Sequence, residues 1–136
     1  MNDIRKIDHI AVVVEDLENA LIFWRDQLGL EMEKIEHVDG MEVRIAFLPV
    51  GESKIELVQP TSSNSGVARF LRKRGPGLHH LCLEVDNLQK KLEELSGQGV
   101  RLIDQEPLQM EDGRQLAFVH PAGAGGVLLE LYQLSS

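Results

Sequence analysis

The sequence predicts an α+β protein made of two tandem βαβββ modules whose strands form a curved mixed sheet. Three observations carry the prediction. First, two stretches share one plan: IDHIAVVVEDL at residues 7–17 and GLHHLCLEVDN at residues 77–87 each alternate apolar and polar positions and then run into a helix signal. His9 lies eight residues before Leu17, and His80 lies eight before Leu88. Second, Ala46-Phe47 recurs as Ala117-Phe118 at the same 71-residue offset that separates the two histidines. Third, Glu56-Leu57-Val58-Gln59 recurs as Glu130-Leu131-Tyr132-Gln133 at an offset of 74. The three extra residues fall in the 121–125 loop, where insertions are tolerated.

The elements follow in order. Residues 6–14 read as a strand with Ile10, Val12 and Val14 on one face and His9, Ala11 and Val13 on the other. Asp16 caps a helix over 17–28, with Leu17, Ala20, Leu21, Trp24 and Leu28 at helical spacing, and Gly29 ends it. Strands are expected at 31–37, 41–49 and 54–58, separated by the Asp39-Gly40 turn and a hairpin loop at 51–53. The polar run PTSSNS at 60–65 is the linker, and Ser65 caps a short basic helix over 66–74.

In the second module, residues 78–85 form a strand with Leu81, Leu83 and Val85 on one face and His80, Cys82 and Glu84 on the other. Asp86 reads as the cap of a helix running from Asn87 to about Ser96. Strands are expected at 100–104, 114–120 and 126–134, with Gly113 in a turn and a flexible loop at 121–125. The modules are placed at about 4–60 and 67–134, with a linker at 61–66, in one domain spanning 1–136.

Composition narrows the function. The chain has 136 residues, enough for one sizeable core. The net charge of −8 argues against nucleic-acid binding. No apolar run approaches the roughly 20 residues of a membrane span, and no secretory signal core opens the chain. The lone Cys82 excludes an internal disulfide and suits a reducing cytoplasm.

The repeat also places chemistry. His9, Glu56, His80 and Glu130 fall on the face opposite the helices, and both glutamates sit among apolar neighbours, in KIELV and VLLELY. A buried carboxylate without a partner is costly. Two carboxylates, each matched with a histidine at a module start, share one simple explanation: a divalent cation held by two His and two Glu in a cavity. Imidazole with carboxylate suits Zn, Co, Ni, Fe or Mn rather than Ca.

The chain resembles the vicinal oxygen chelate superfamily, and within it the methylmalonyl-CoA epimerase group. The residues that carry the resemblance are IDHIAVVVEDLENAL, IELVQP with the 65–75 helix, GPGLHHLCLEVDNL and FVHPAGAGGVLLEL, over about residues 4–134. The resemblance places the family's metal ligands on His9, Glu56, His80 and Glu130. It implies one divalent metal ion per chain (cobalt first, then nickel, zinc, manganese or iron), an acyl-CoA substrate, and a cytoplasmic homodimer. The implied reaction interconverts (R)- and (S)-methylmalonyl-CoA by α-proton abstraction through a metal-stabilised enolate.

Glu130 is the first acid–base candidate, with Glu56, Glu42 or a bound water as the second. Where some members of the group place an extra glutamate before the first Ala-Phe, this chain has Arg44-Ile45, with Glu42 the nearest carboxylate. Many members have a lysine after His-Pro, where this chain has Ala122. Arg69, Arg72, Lys73 and Arg74 are candidates for meeting CoA phosphates, against the plainer reading of a solvated face. The alternatives are a glyoxalase-type lactoylglutathione lyase and a non-catalytic small-molecule binding protein.

Overall fold

The computed structural model describes residues 3–135, and these divide into two compact units. One unit runs from His9 to His79, and the other combines residues 3–8 with 80–135. The elements are β1 (Ile4–Val13), α1 (Leu17–Leu21) continuing as a π-helix (Ile22–Gln27), β2 (Lys34–Val38), β3 (Val43–Val50), β4 (Ser53–Pro60), α2 (Gly66–Arg74), β5 (Gly77–Val85), α3 (Leu88–Gly97), β6 (Leu108–Gln109), β7 (Gln115–Val119) and β8 (Leu129–Gln133). The chain is thus α+β, with the βαβββ order twice.

In the His9–His79 unit the strand order is β2-β3-β4-β1. The two hairpin pairs are antiparallel, and β1 runs parallel to β4 with Ala11 opposite Glu56. Alternation sorts the side chains. Val14, Leu17, Leu21, Ala46, Leu48 and Leu57 form a buried cluster beneath α1, while Ala11, Val43 and Val58 pack on the other face with Val67 of α2. Burying a side chain such as Leu57 contributes roughly 1.5–3 kcal/mol.

The second unit has the order β5-β8-β7-β6, with β5 parallel to β8 and Cys82 opposite Glu130. Its core is Val85, Leu88, Leu92, Leu102, Ala117, Val119 and Leu131. Residues 3–8 are held to this unit by polar contacts. The Asp86 amide donates to the Asp3 carbonyl at 3.0 Å, Lys91 Nζ meets Asp3 Oδ2 at 2.9 Å, and Arg5 pairs with Asp86.

Several expectations are corrected. The α1 stripe fails at Leu28, which is 53% exposed. Past Leu21 the helix changes to π pitch, shown by Leu28 N–H donating to the Phe23 carbonyl, so the phase set by Leu17 and Leu21 is lost. Leu30 joins the core margin instead.

α3 is capped by Asn87, not Asp86: Asn87 Oδ1 accepts from the Lys90 amide at 3.1 Å. Asn87 is the repeat equivalent of Asp16, whose Oδ2 accepts from the Asn19 amide at 3.1 Å. β2 starts at Lys34 rather than at 31, and β3 starts at Val43 because Glu42 is left-handed, with φ 56° and ψ 48°. The strand alternation therefore does not extend to Glu42.

The strand expected at 100–104 is only a Leu102–Val119 bridge. There the Asp104 side chain accepts from the Phe118 amide at 2.9 Å, in place of a backbone carbonyl. A two-residue strand, β6, stands further on. The 121–125 loop carries a 3-10 turn, Pro121–Gly123, and a Cβ on Gly123 would lie 2.9 Å from the Arg101 carbonyl oxygen.

Candidate metal centre

Each unit brings one histidine to one glutamate. His9 Nδ1 lies 3.2 Å from Glu56 Oε2, and His80 Nε2 lies 3.0 Å from Glu130 Oε1. The local cause is the same in both. Parallel pairing sets the glutamate opposite the residue two past the histidine, Ala11 in one unit and Cys82 in the other. Residues two apart in a strand share a face, so the imidazole and the carboxylate meet diagonally on one side of the ladder.

Both carboxylates are withdrawn from water: Glu56 is 8% exposed and Glu130 7%. Each has a phenylalanine directly across its antiparallel ladder, Phe47 opposite Glu56 and Phe118 opposite Glu130. His80 also meets the Phe118 ring edge-on at 5.7 Å between centroids. The preceding alanines, Ala46 and Ala117, turn the other way and are wholly buried in the clusters that hold Leu17 and Leu88. The repeated Ala-Phe pair thus has two jobs: a small residue under the helix and an aromatic wall beside the carboxylate.

These donors fit a divalent transition ion. An imidazole and a carboxylate held within about 3 Å in a dry setting present lone pairs that a borderline cation satisfies, and the cation's charge offsets the cost of burying the carboxylate.

Other residues singled out from sequence are placed elsewhere. Glu42 is exposed and precedes β3, and its carbonyl accepts from the Thr61 amide. Arg44 turns to α1, where its Nη2 meets Glu18 Oε1 at 2.7 Å, an ion pair that lowers the pKa of Glu18. On α2, Arg69 donates to the Asn64 carbonyl at 2.8 Å and Arg72 to the Ser63 carbonyl at 2.6 Å, so both cations brace the linker. His37 is exposed beside Asp39, and His120 Nδ1 accepts from the Ala122 amide to form the 3-10 turn. His79 packs edge-on against Phe70.

Cys82 is wholly buried. Tyr132, opposite Glu84, has its phenol pKa raised, first by burial and further by the charges of Asp8 and Glu84, against the opposing pull of Arg114.

Comparison with known proteins places the chain. Residues 8–118 match the Glyoxalase/Bleomycin resistance protein/Dioxygenase superfamily, and the chain belongs to it. Mitochondrial methylmalonyl-CoA epimerase of Bos taurus is 36% identical over 129 residues, covering 94% of this chain and 74% of the relative. The crystal structure of methylmalonyl-CoA epimerase from Mycobacterium tuberculosis superposes with a TM-score of 0.87 at 34% identity, covering 98% of this chain and 91% of that one. A methylmalonyl-CoA epimerase in complex with methylmalonyl-CoA and NH4+ gives a TM-score of 0.86 at 31% identity, covering 98% and 96%. Within the superfamily the chain is a member of the methylmalonyl-CoA epimerase family and an enzyme of the isomerase class.

Proposed function

We propose that the two units work as one vicinal oxygen chelate domain, that His9, Glu56, His80 and Glu130 together hold one divalent metal ion, and that the enzyme epimerises methylmalonyl-CoA. The observation that carries the reading is the recurrence of one His–Glu pair, in the same ladder register, in both units. The ligand named for the solved relative supports an acyl-CoA substrate. Cobalt is the ion we put first, and a cytoplasmic homodimer is the expected working form. Among the described residues, no helix is long and apolar enough to cross a membrane.

When bound, the ion supplies positive charge that offsets the negative charge growing on the substrate's thioester and carboxylate oxygens. The remaining work falls to the chain. Glu130 takes the α-proton as H⁺, and the C–H electron pair stays on the substrate. A second group, which carries a proton before the cycle begins, returns it to the opposite face of the same carbon and is left as the base for the reverse direction, which inverts the centre. Glu56 is the better candidate for that role, because it is buried and paired with a histidine, whereas Glu42 is exposed and off the strand. Phe47 and Phe118 shield the two carboxylates from water.

Proton NMR of methylmalonyl-CoA in D₂O with the metal-loaded enzyme tests the reading. The α-proton signal is expected to disappear rapidly from both epimers, and with Glu130→Gln to persist in the epimer whose α-proton faces Glu130. Wild-type exchange in metal-loaded Glu130→Gln would overturn the role of Glu130. Turnover of methylglyoxal with glutathione, without exchange of methylmalonyl-CoA, would move the enzyme to the lyase class.

A further inference from the structure

We infer that Gln59 and Gln133 are positioning residues, a matched pair of clamps that set the His–Glu geometry in each unit. Gln59 Oε1 accepts from the backbone amide of Leu17 at 2.8 Å. Gln133 Oε1 accepts from the backbone amide of Leu88 at 2.7 Å. Leu17 and Leu88 are the first residues of α1 and α3, and both are wholly buried. Asp16 and Asn87 take up the amides two residues further on, those of Asn19 and Lys90, so they do not serve these two donors. A helix leaves its first amides without an internal partner. Here a glutamine from 42 or 45 residues away supplies the acceptor.

The connection made is specific. In each unit the helix follows directly from the histidine strand, and the glutamine lies three residues past the glutamate on the partner strand. The clamp therefore closes the far end of the parallel ladder on which the His–Glu pair depends. In the first unit the ladder ends with Val13 opposite Val58, then Val14 N–H donates to the Val58 carbonyl at 2.9 Å, and then Gln59 takes Leu17. In the second, Glu84 stands opposite Tyr132, and Gln133 then takes Leu88. Without the side-chain acceptor, a buried amide is stranded and the strand end is released from the helix. The glutamate three residues back then loses a fixed register against its histidine.

This inference rests on the metal reading, and its test separates the two. Cobalt affinity is measured by calorimetry on wild type, Gln59→Leu, Gln133→Leu and the matching Gln→Glu variants, with thermal melting of each apo form. Glutamate keeps an oxygen acceptor and places a negative charge where a helix N-terminus favours it. Each Leu variant is expected to bind cobalt about tenfold more weakly, on the scale seen when groups that orient metal ligands are removed. Each Glu variant is expected to stay within about threefold of wild type, a small fraction of that scale.

Folded Leu variants that melt lower yet bind cobalt with wild-type affinity would overturn the inference and leave the glutamines as structural caps. Weak binding by the Glu variants as well would overturn it too, since the acceptor would not be what matters. A wild-type protein that binds no cobalt, nickel or zinc would defeat the metal reading itself. Should a Leu variant not fold, Gln→Asn provides the second variant: its shorter reach is expected to weaken cobalt binding, and wild-type affinity there would count against the clamp.

Discussion

The two modules follow one plan and differ at their margins. α3 is a regular ten-residue helix, whereas α1 gives way to π pitch after five residues. β2 pairs with β3 over five residues, whereas β6 pairs with β7 over two. What both modules keep is narrower: the register that sets a glutamate opposite the residue two past a histidine, the Ala-Phe pair on the adjoining strand, the side-chain cap and the glutamine clamp. The kept features all bear on the His–Glu pair. The features that vary lie at the edge strand and the helix C-terminus, away from it.

Breaking the pairs gives the largest effect. Glu130→Gln and Glu56→Gln should each lower the rate of α-proton exchange by roughly 10²–10⁴, the range for an acid–base group. Comparing the two by NMR shows whether the modules share the acid–base work. A large loss in one and none in the other would confine the chemistry to a single module.

Core truncation comes next. Leu21→Ala and Leu92→Ala, on the buried faces of α1 and α3, should each cost about 2–5 kcal/mol of stability in denaturant unfolding. Leu28→Ala, on the exposed side of the π turn, should stay within about 0.5 kcal/mol. A large loss at Leu28 would mean that the helix keeps α phase to its end.

Caps are smaller still. Asp16→Ala and Asn87→Ala should each cost about 0.5–2 kcal/mol. Asp86→Ala should leave α3 intact, with its protection from amide exchange unchanged.

The smallest effect belongs to Tyr132, the one tyrosine of the chain. Burial raises its pKa, so tyrosinate absorbance should appear only above the ordinary value of about 10. Since the folded form holds this proton more tightly, its contribution to stability is present below pH ~10 and declines as pH rises through the folded pKa. A midpoint below 10 would show Arg114 outweighing burial.

Much of the fold was legible because the chain states it twice. Strand–helix order, the Ser65 cap and the α2 bounds follow from local signals, and the structure pairs each histidine with the glutamate that the repeat matched to it. Local reading failed where the cause is distant or cooperative. The glutamine clamps leave no sequence signal beyond their recurrence, because the donor is a backbone amide more than 40 residues away. Asp86 has the acidic side chain that local cap chemistry favours, although the 71-residue offset from Asp16 points to Asn87. The switch to π pitch at Ile22 has no composition cue, and at 100–104 an aspartate side chain takes over a ladder bond that alternation alone assigns to the backbone.

The proposed metal site draws on both His–Glu pairs at once. The most direct test is metal content per chain, measured on cobalt-loaded wild type, His9→Ala and His80→Ala. About one ion per chain is expected in wild type and less than a tenth of an ion in each variant, since either substitution removes a ligand from the same centre. Two ions per chain in wild type, with each variant losing one and keeping the other, would show two separate sites and contradict it.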